Sequence, residues 1–365
     1  MKKILIIFPD AHLAYSPTTL QIQNALKEHF TCKIFCFKSD YFHQLNETDI
    51  IYAKRLFGIG RLITILHKIF PLLFKRGIQF SYRKAQLMSH LIFNRYHEII
   101  YVDLISMAYC GNLYKPGTLV SLELTNNTVS YLDQLNKKIN YLIIQNEERK
   151  NIYFSNLNCK VFYVQNAPDF DEQQIQNYPQ KKENRLVFGG TALLGFGILF
   201  CLDFIKQNEV YELILKGSIP KEVNELMNEQ YKQELNTGKI IVQREYQNDS
   251  EYLMELSECI IGFAFYDIKR KEFDNINYKT GPAGKMFKYF AAGVPVIANN
   301  LPGFYPVAEF NAGILIDEIN NSTIANAIHK IRSDYEYYQK NCFKAAAHFS
   351  FKKSINPYIK RLVEN

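Results

Sequence analysis

At 365 residues the chain exceeds one ordinary domain and has room for two, each with its own core. Its 47% hydrophobic and 22% charged residues are a globular composition, not that of a disordered or fibrous chain. A formal charge of +7 fits an anionic partner (nucleotide, phospholipid surface or nucleic acid) or a solvated basic face, and seven scattered cysteines, with only Cys32 and Cys36 close together, argue against a disulfide framework or a zinc site.

Short apolar runs alternate with helix-like segments, the pattern of parallel α/β sheets. The run at 4–8 is too short for a signal-peptide core and reads as a buried first strand. Further strands are expected over 32–37, 98–102, 118–122, 141–145 and 160–164. A helix is expected near 17–30, with Pro17 in its first turn and Ser16 as N-cap. The polar stretch DFDEQQIQNYPQKKEN at 169–184 reads as a linker. The alternation then restarts, with strands over 186–188, 211–215, 239–243, 259–265 and 294–298 and helices over 221–235 and 250–258. From Asn321 onward the chain reads as helical. Two α/β halves joined by a linker predict a ligand cleft between them.

No G-x-G-x-x-G follows the first strand, no G-x-x-x-x-G-K-[ST] occurs, and no Ser-His-Asp or Cys-His arrangement stands at an informative spacing. The strongest local signal is GPAGKMFKYFAAGVPVIANN at 281–300. Gly281, Pro282, Ala283 and Gly284 form a turn, 285–292 a short helix, and Gly293 its C′ stop. Free amides and the dipole at the helix start favour an anion, and Lys285 adds a full charge there, which suits a diphosphate.

This stretch resembles the C-terminal nucleotide-sugar signature of the group-1 GT-B glycosyltransferases, P-x-K-x-x-E-Y-x-A-x-G-x-P-V-I-A. YLIIQNEERKNIYF, VFYVQNAP, LVFGGT, YELILKG and SEYLMELSECIIGFAFY are similar to the family's preceding segments, in order, so the likeness covers most of 141–317. The resemblance implies two Rossmann-like domains facing each other across a cleft. It implies a nucleoside-diphosphate-sugar donor and hexosyl transfer without a metal or other cofactor, with retention of configuration. By position, Lys285 falls where the family contacts the donor diphosphate, with Gly281 and Gly284 in the turn beside it. Lys216 is a second phosphate cation or a solvated strand-end lysine. Arg244 and Tyr246 fall where the base is met. The family's E-x7-E pair is absent: Lys288 occupies the place of the ribose-binding glutamate and Thr280 that of the first glutamate. Glu272 and Asp274 stand in the loop before the signature as substitutes or as a solvated acidic loop.

For the reaction itself, side chains at strand C-terminal ends face the ligand crevice of an open α/β sheet. Glu123, Asp103 and His12 hold such positions, with Asp10 beside His12. A carboxylate there deprotonates a sugar hydroxyl in an inverting reaction or steadies an oxocarbenium-like transition state in a retaining one. Glu123 ranks first.

The window 50–97 contains no Asp or Glu and nine Lys/Arg: Lys54, Arg55, Arg61, Lys68, Lys75, Arg76, Arg83, Lys84 and Arg95. Lys54, Arg61, Lys68 and Lys75 recur every seven residues with apolar residues between them, interrupted at Pro71. The segment 54–76 is a basic amphipathic stretch fit for an anionic membrane surface, at about 1 kcal/mol per charge, or for the edge of a packed helix. No nucleic-acid recognition motif accompanies it.

The expectation is an α/β GT-B chain with an acceptor-binding domain at 1–168, a linker at 169–184, a donor-binding domain at 185–340, and helices at 341–365 crossing back to the first domain. It transfers a sugar from a UDP- or GDP-sugar to a hydroxyl of a glycan or lipid-linked glycan in surface polysaccharide assembly. Its expected place is the cytoplasm, peripheral at the inner face of the plasma membrane. The rival readings are a nucleotide-sugar isomerase of the same fold and a non-catalytic scaffold at the membrane.

Overall fold

The structure is a computed structural model and describes residues 1–10, 12–37, 45, 47–53, 77–110, 115–123, 138–243, 249–271 and 274–364. Arg244, Tyr246, Glu272 and the basic segment 54–76 lie outside the described residues. The chain divides into two compact units, 1–164 with 354–365, and 165–353.

The first unit is built on a parallel sheet of seven strands: β1 (Lys3–Ile7), β2 (Thr31–Phe37), β3 (Ile50–Ala53), β4 (Glu98–Val102), β5 (Gly117–Ser121), β6 (Ile139–Ile144) and β7 (Lys160–Tyr163). Their order is β3-β2-β1-β4-β5-β6-β7. In the central strand β1 the apolar run Ile4, Leu5, Ile6 and Ile7 is fully buried, as in a strand covered on both faces. The second unit has six parallel strands: β8 (Arg185–Gly189), β9 (Glu212–Lys216), β10 (Ile240–Gln243), β11 (Ile261–Ala264), β12 (Val296–Asn299) and β13 (Gly313–Ile316). Their order, β10-β9-β8-β11-β12-β13, repeats the arrangement of the first sheet's first six strands. Both orders reverse direction beside their first strand, between β1 and β4 and between β8 and β11. Strand ends at such a reversal bound the crevice where open sheets bind ligands.

Two strands escaped the sequence expectation, β3 and β13. Each is an outer-edge strand of four residues, of which two in β3 and three in β13 are only partly buried. The helix expected over 221–235 is two, Lys221–Gln230 and Lys232–Asn236, broken at Tyr231, whose φ of −126° leaves the helical region. Ser16 is the N-cap residue of the first helix, as expected, but its hydroxyl pairs with Thr19 Oγ1 at 2.8 Å and makes no cap bond to a backbone amide.

The stretch 169–184 lies within the second unit and is fastened to it. Tyr178 Oη donates to the Ala291 carbonyl at 3.0 Å, and Lys181 Nζ to the Ser257 and Cys259 carbonyls at 2.9 and 3.2 Å. The helix Tyr335–Phe349 also belongs to the second unit, and only the residues from Ser354 complete the first. Within the first unit Tyr358 is fully buried and its hydroxyl donates to Thr118 Oγ1 at 2.8 Å. Thr118 in turn donates to Glu98 Oε1 at 2.7 Å.

Candidate functional site

In the second unit the signature stretch forms the helix Gly284–Ala291. It closes as a Schellman motif: Gly293 has φ 64°, its N–H donates to Phe290, and the Val294 N–H donates to Tyr289. At the other end the N-cap is Ala283, whose methyl group offers no acceptor to the first turn. Gly284 packs closely on Asn166, where an added Cβ would stand 2.9 Å from Nδ2. Gly281 has an ordinary φ of −76°, so its place in the turn does not require glycine. The bare approach is made instead by Gly303, where a Cβ would stand 2.4 Å from the Gly281 oxygen.

The helix fixes Lys285 beside the C-terminal end of β8. Tyr289, one turn on and fully buried, accepts a hydrogen bond from the Gly189 N–H at 2.6 Å. Lys285 Nζ lies 3.6 Å from the centroid of Phe188 and 5.5 Å from that of Phe196. Among the described residues this ammonium is shielded from solvent and has no hydrogen-bond partner. Burial lowers its pKa from 10.5 to about 7, against a small opposing effect of the nearby Cys201 thiol. The loop floor beside it is pinned by the Gly190 N–H to the Lys216 carbonyl at 2.9 Å. Gly217, at φ 139°, is required there, since a Cβ would stand 2.4 Å from the Gly190 oxygen.

Two further lysines expected at this site have contacts of their own. Lys216 is not solvated: it is 3% exposed, its ammonium pairs with Glu255, and it lies 5.3 Å over the ring of Tyr252. Lys288 Nζ lies 4.7 Å over that same ring. The two lysines and Glu255 thus surround one tyrosine on the helix Asp249–Ser257. Thr280 is buried at the end of the helix Ile276–Thr280 and donates to the Ile276 carbonyl at 2.6 Å. Asp274 is paired with Lys279.

An aromatic group that the sequence did not reveal stands next to Lys285. Phe196, Tyr266, Tyr278 and Phe304 meet with centroid separations of 5.2–5.9 Å. They come from four separate segments, so only the fold assembles them. Asn299 fixes the Tyr266 backbone from both sides, at 3.1 and 3.0 Å.

In the first unit the three acidic and histidine candidates share one sheet edge, following β1, β4 and β5. His12 is half-exposed, 3.4 Å from Asp10 Oδ2, with its ring edge-on to Phe8. Asp103 has φ 58°, and its Oδ1 accepts the N–H groups of Leu122 at 2.7 Å and Glu123 at 2.9 Å. Burial raises its pKa from 3.8 to about 7, against these two bonds. Glu123 itself is exposed. No cluster of three His, Cys, Asp or Glu able to hold a metal occurs among the described residues. Among those residues no helix is long and apolar enough to cross a membrane.

No protein-family profile matches the sequence, and no protein of curated function matches it. Solved structures do match in fold, over the whole chain. Sucrose-phosphate synthase from Thermosynechococcus elongatus aligns with a TM-score of 0.71 at 14% identity, over 100% of this chain and 98% of that one. The α,α-trehalose-phosphate synthase (UDP-forming) of Burkholderia vietnamiensis aligns at 0.66 and 11%, over 100% of both chains. HepE of Anabaena, solved with UDP and glucose, aligns at 0.64 and 14%, over 100% and 99%. The chain is an α/β protein with the fold of the GT-B glycosyltransferases, two Rossmann-like units each on a parallel sheet.

Proposed function

We propose that this chain is a glycosyltransferase that uses a nucleoside-diphosphate sugar, UDP- or GDP-linked, and passes the sugar to a hydroxyl of a glycan or lipid-linked glycan. The observation that carries the reading is Lys285: a buried ammonium with no hydrogen-bond partner among the described residues, at the end of β8 and the start of an uncapped helix. A buried unpaired charge is costly, and a bound diphosphate removes that cost while the helix amides share its charge. HepE, which aligns over the whole chain, holds UDP and glucose.

In the proposed reaction Lys285 and the helix start neutralise the departing diphosphate, so the leaving group needs no metal. The Glu123 carboxylate serves the acceptor side, as base in an inverting transfer or as charge stabiliser in a retaining one. Retention is the form we propose, and the anomeric proton of the product, read by NMR, decides it. The acid-free basic run at 54–76 supports peripheral contact of a cytoplasmic enzyme with an anionic membrane, as surface polysaccharide assembly requires. Sedimentation with phosphatidylglycerol vesicles, set against phosphatidylcholine vesicles, tests that part.

The decisive test of the donor site is a thermal-shift measurement with UDP, GDP, UDP-glucose and GDP-mannose on the wild type and Lys285→Ala. Saturation at a hundred times Kd stabilises a native protein by about 2.7 kcal/mol. The expected result is a shift with one base, lost in Lys285→Ala. A wild type that no nucleotide stabilises refutes the reading and favours the scaffold.

A further inference from the structure

The sheet edge after β5 carries a construction that the reaction proposed above does not by itself require. Ser121 is the last residue of β5 paired to β6, opposite Ile144. The peptide joining Leu122 and Glu123 therefore lies one step beyond the ladder. It is nevertheless held on both sides. Asp103 Oδ1 accepts from the Leu122 and Glu123 N–H groups at 2.7 and 2.9 Å. Arg149 Nη2 donates to the Leu122 carbonyl at 2.9 Å, and Gln145 Nε2 to the same oxygen at 3.3 Å.

Each part of this arrangement runs against local preference. Asp103 opens the helix Asp103–Cys110, where an aspartate normally serves its own first-turn amides. Here it sits at φ 58° and reaches a neighbouring strand end instead. A left-handed conformation costs a non-glycine residue of order 1 kcal/mol or more. Arg149 is 1% exposed, and burying a guanidinium is costly unless its hydrogen bonds are filled. Fixing one backbone residue costs about 1–2 kcal/mol of entropy. A strained Asp103 and two side-chain donors, one of them the buried Arg149, converge on a single peptide, and that peptide leads into Glu123.

We propose that Asp103, Arg149 and Gln145 are positioning residues that fix the Leu122–Glu123 peptide and so hold the Glu123 carboxylate at the strand end where it acts. Asp103 is then not a second reacting carboxylate, since its Oδ1 is spent on backbone amides. The inference rests on the assignment of Glu123 to the reaction, and its test separates the two.

The variants are Asp103→Gly, which tolerates the left-handed backbone and lacks the carboxylate, Asp103→Asn, which keeps an acceptor oxygen, Glu123→Gln, and the double variant D103G/E123Q. Turnover of UDP-glucose and of GDP-mannose is followed by release of the nucleoside diphosphate. Asp103→Gly is expected to lower kcat by about a hundredfold, the scale of a misplaced catalytic group, with donor KM within about threefold. Asp103→Asn is expected to recover most of that loss. In the Glu123→Gln background, Asp103→Gly is expected to add no further loss, because both changes remove one function. Losses that multiply in the double variant overturn the proposal and leave Asp103 a structural residue. Asp103→Asn as inactive as Asp103→Gly, with Glu123→Gln active, overturns it in favour of Asp103 as the reacting group. Full turnover in Glu123→Gln refutes the Glu123 assignment. The clamp itself is then judged by hydrogen exchange, which needs no donor: the Leu122 and Glu123 amides should exchange at least about tenfold faster in Asp103→Gly, as expected when protecting bonds are lost. Unchanged exchange overturns the clamp.

Discussion

Lys285 makes donor binding depend on pH in a way that can be worked out in advance. Burial places its pKa at about 7 in the free protein. A bound diphosphate stabilises the ammonium and raises that value, so only the protonated fraction of the free protein binds well. That fraction is about 0.9 at pH 6, about 0.1 at pH 8 and about 0.01 at pH 9, from the titration of one group of pKa about 7. Affinity for a nucleotide sugar should therefore fall about tenfold from pH 6 to pH 8 and about a hundredfold by pH 9, about 1.4 kcal/mol for each tenfold step. The assay is calorimetric titration with UDP-glucose or GDP-mannose, whose diphosphate diesters do not titrate in this range. Lys285→Arg keeps its charge throughout, so its affinity should be flat with pH. Lys285→Met should bind at least about a hundredfold more weakly at pH 6, the scale for leaving a charged ligand group unpaired. A wild-type affinity independent of pH, or the same slope in Lys285→Arg, refutes the argument.

Lys288→Ala should differ sharply from Lys285→Met: its ammonium lies against Tyr252, so its loss should cost about 0.5–1 kcal/mol of stability, a cation–π contact at a partly exposed site, and weaken nucleotide binding a few-fold at most; urea unfolding and calorimetry check both. Gly217→Ala places a Cβ 2.4 Å from the Gly190 oxygen at φ 139°, and should destabilise the protein by about 2–4 kcal/mol in urea unfolding and abolish nucleotide binding, full stability being the contrary result. Glu98 is buried and burial raises its pKa from 4.5 to about 7, so the folded state holds its proton more tightly than the unfolded one. The resulting stability is fully present below pH 4.5 and is lost as pH rises through 7, at most about 3 kcal/mol by linkage. Glu98→Gln keeps an acceptor for Thr118 and should remove that loss, raising the melting temperature at pH 8 above wild type by several degrees; an unchanged difference between pH 5 and pH 8 in calorimetry would count against it.

Much of the fold is legible in the chain because its signals are local. Runs such as Ile4 to Ile7 and Ile261 to Ala264 are apolar at every position, the mark of a strand buried on both faces. Gly293 stops its helix because the left-handed C′ position tolerates no side chain cheaply. Lys285 could be singled out from the turn that precedes it. The edge strands β3 and β13 escaped the sequence expectation; both are only partly buried, unlike the fully buried Ile261 to Ala264.

What each charged side chain does was decided elsewhere. Nothing near Lys216 in sequence points to Glu255, thirty-nine positions on, and nothing near Lys288 points to Tyr252. Asp103 reads as a strand-end carboxylate, yet its oxygen is taken by amides twenty residues away. Phe196, Tyr266, Tyr278 and Phe304 are unremarkable until four separate segments bring them together, with Phe196 beside the Lys285 ammonium. The sequence by itself determined eleven of the thirteen described strands, the turn and the helix that carries Lys285, because backbone preference and hydrophobic period act between near neighbours. The tertiary structure alone decided which of the described charges are matched and that Lys285 is buried without a hydrogen-bond partner among them, because pairing and desolvation depend on distances that only the packed sheets set.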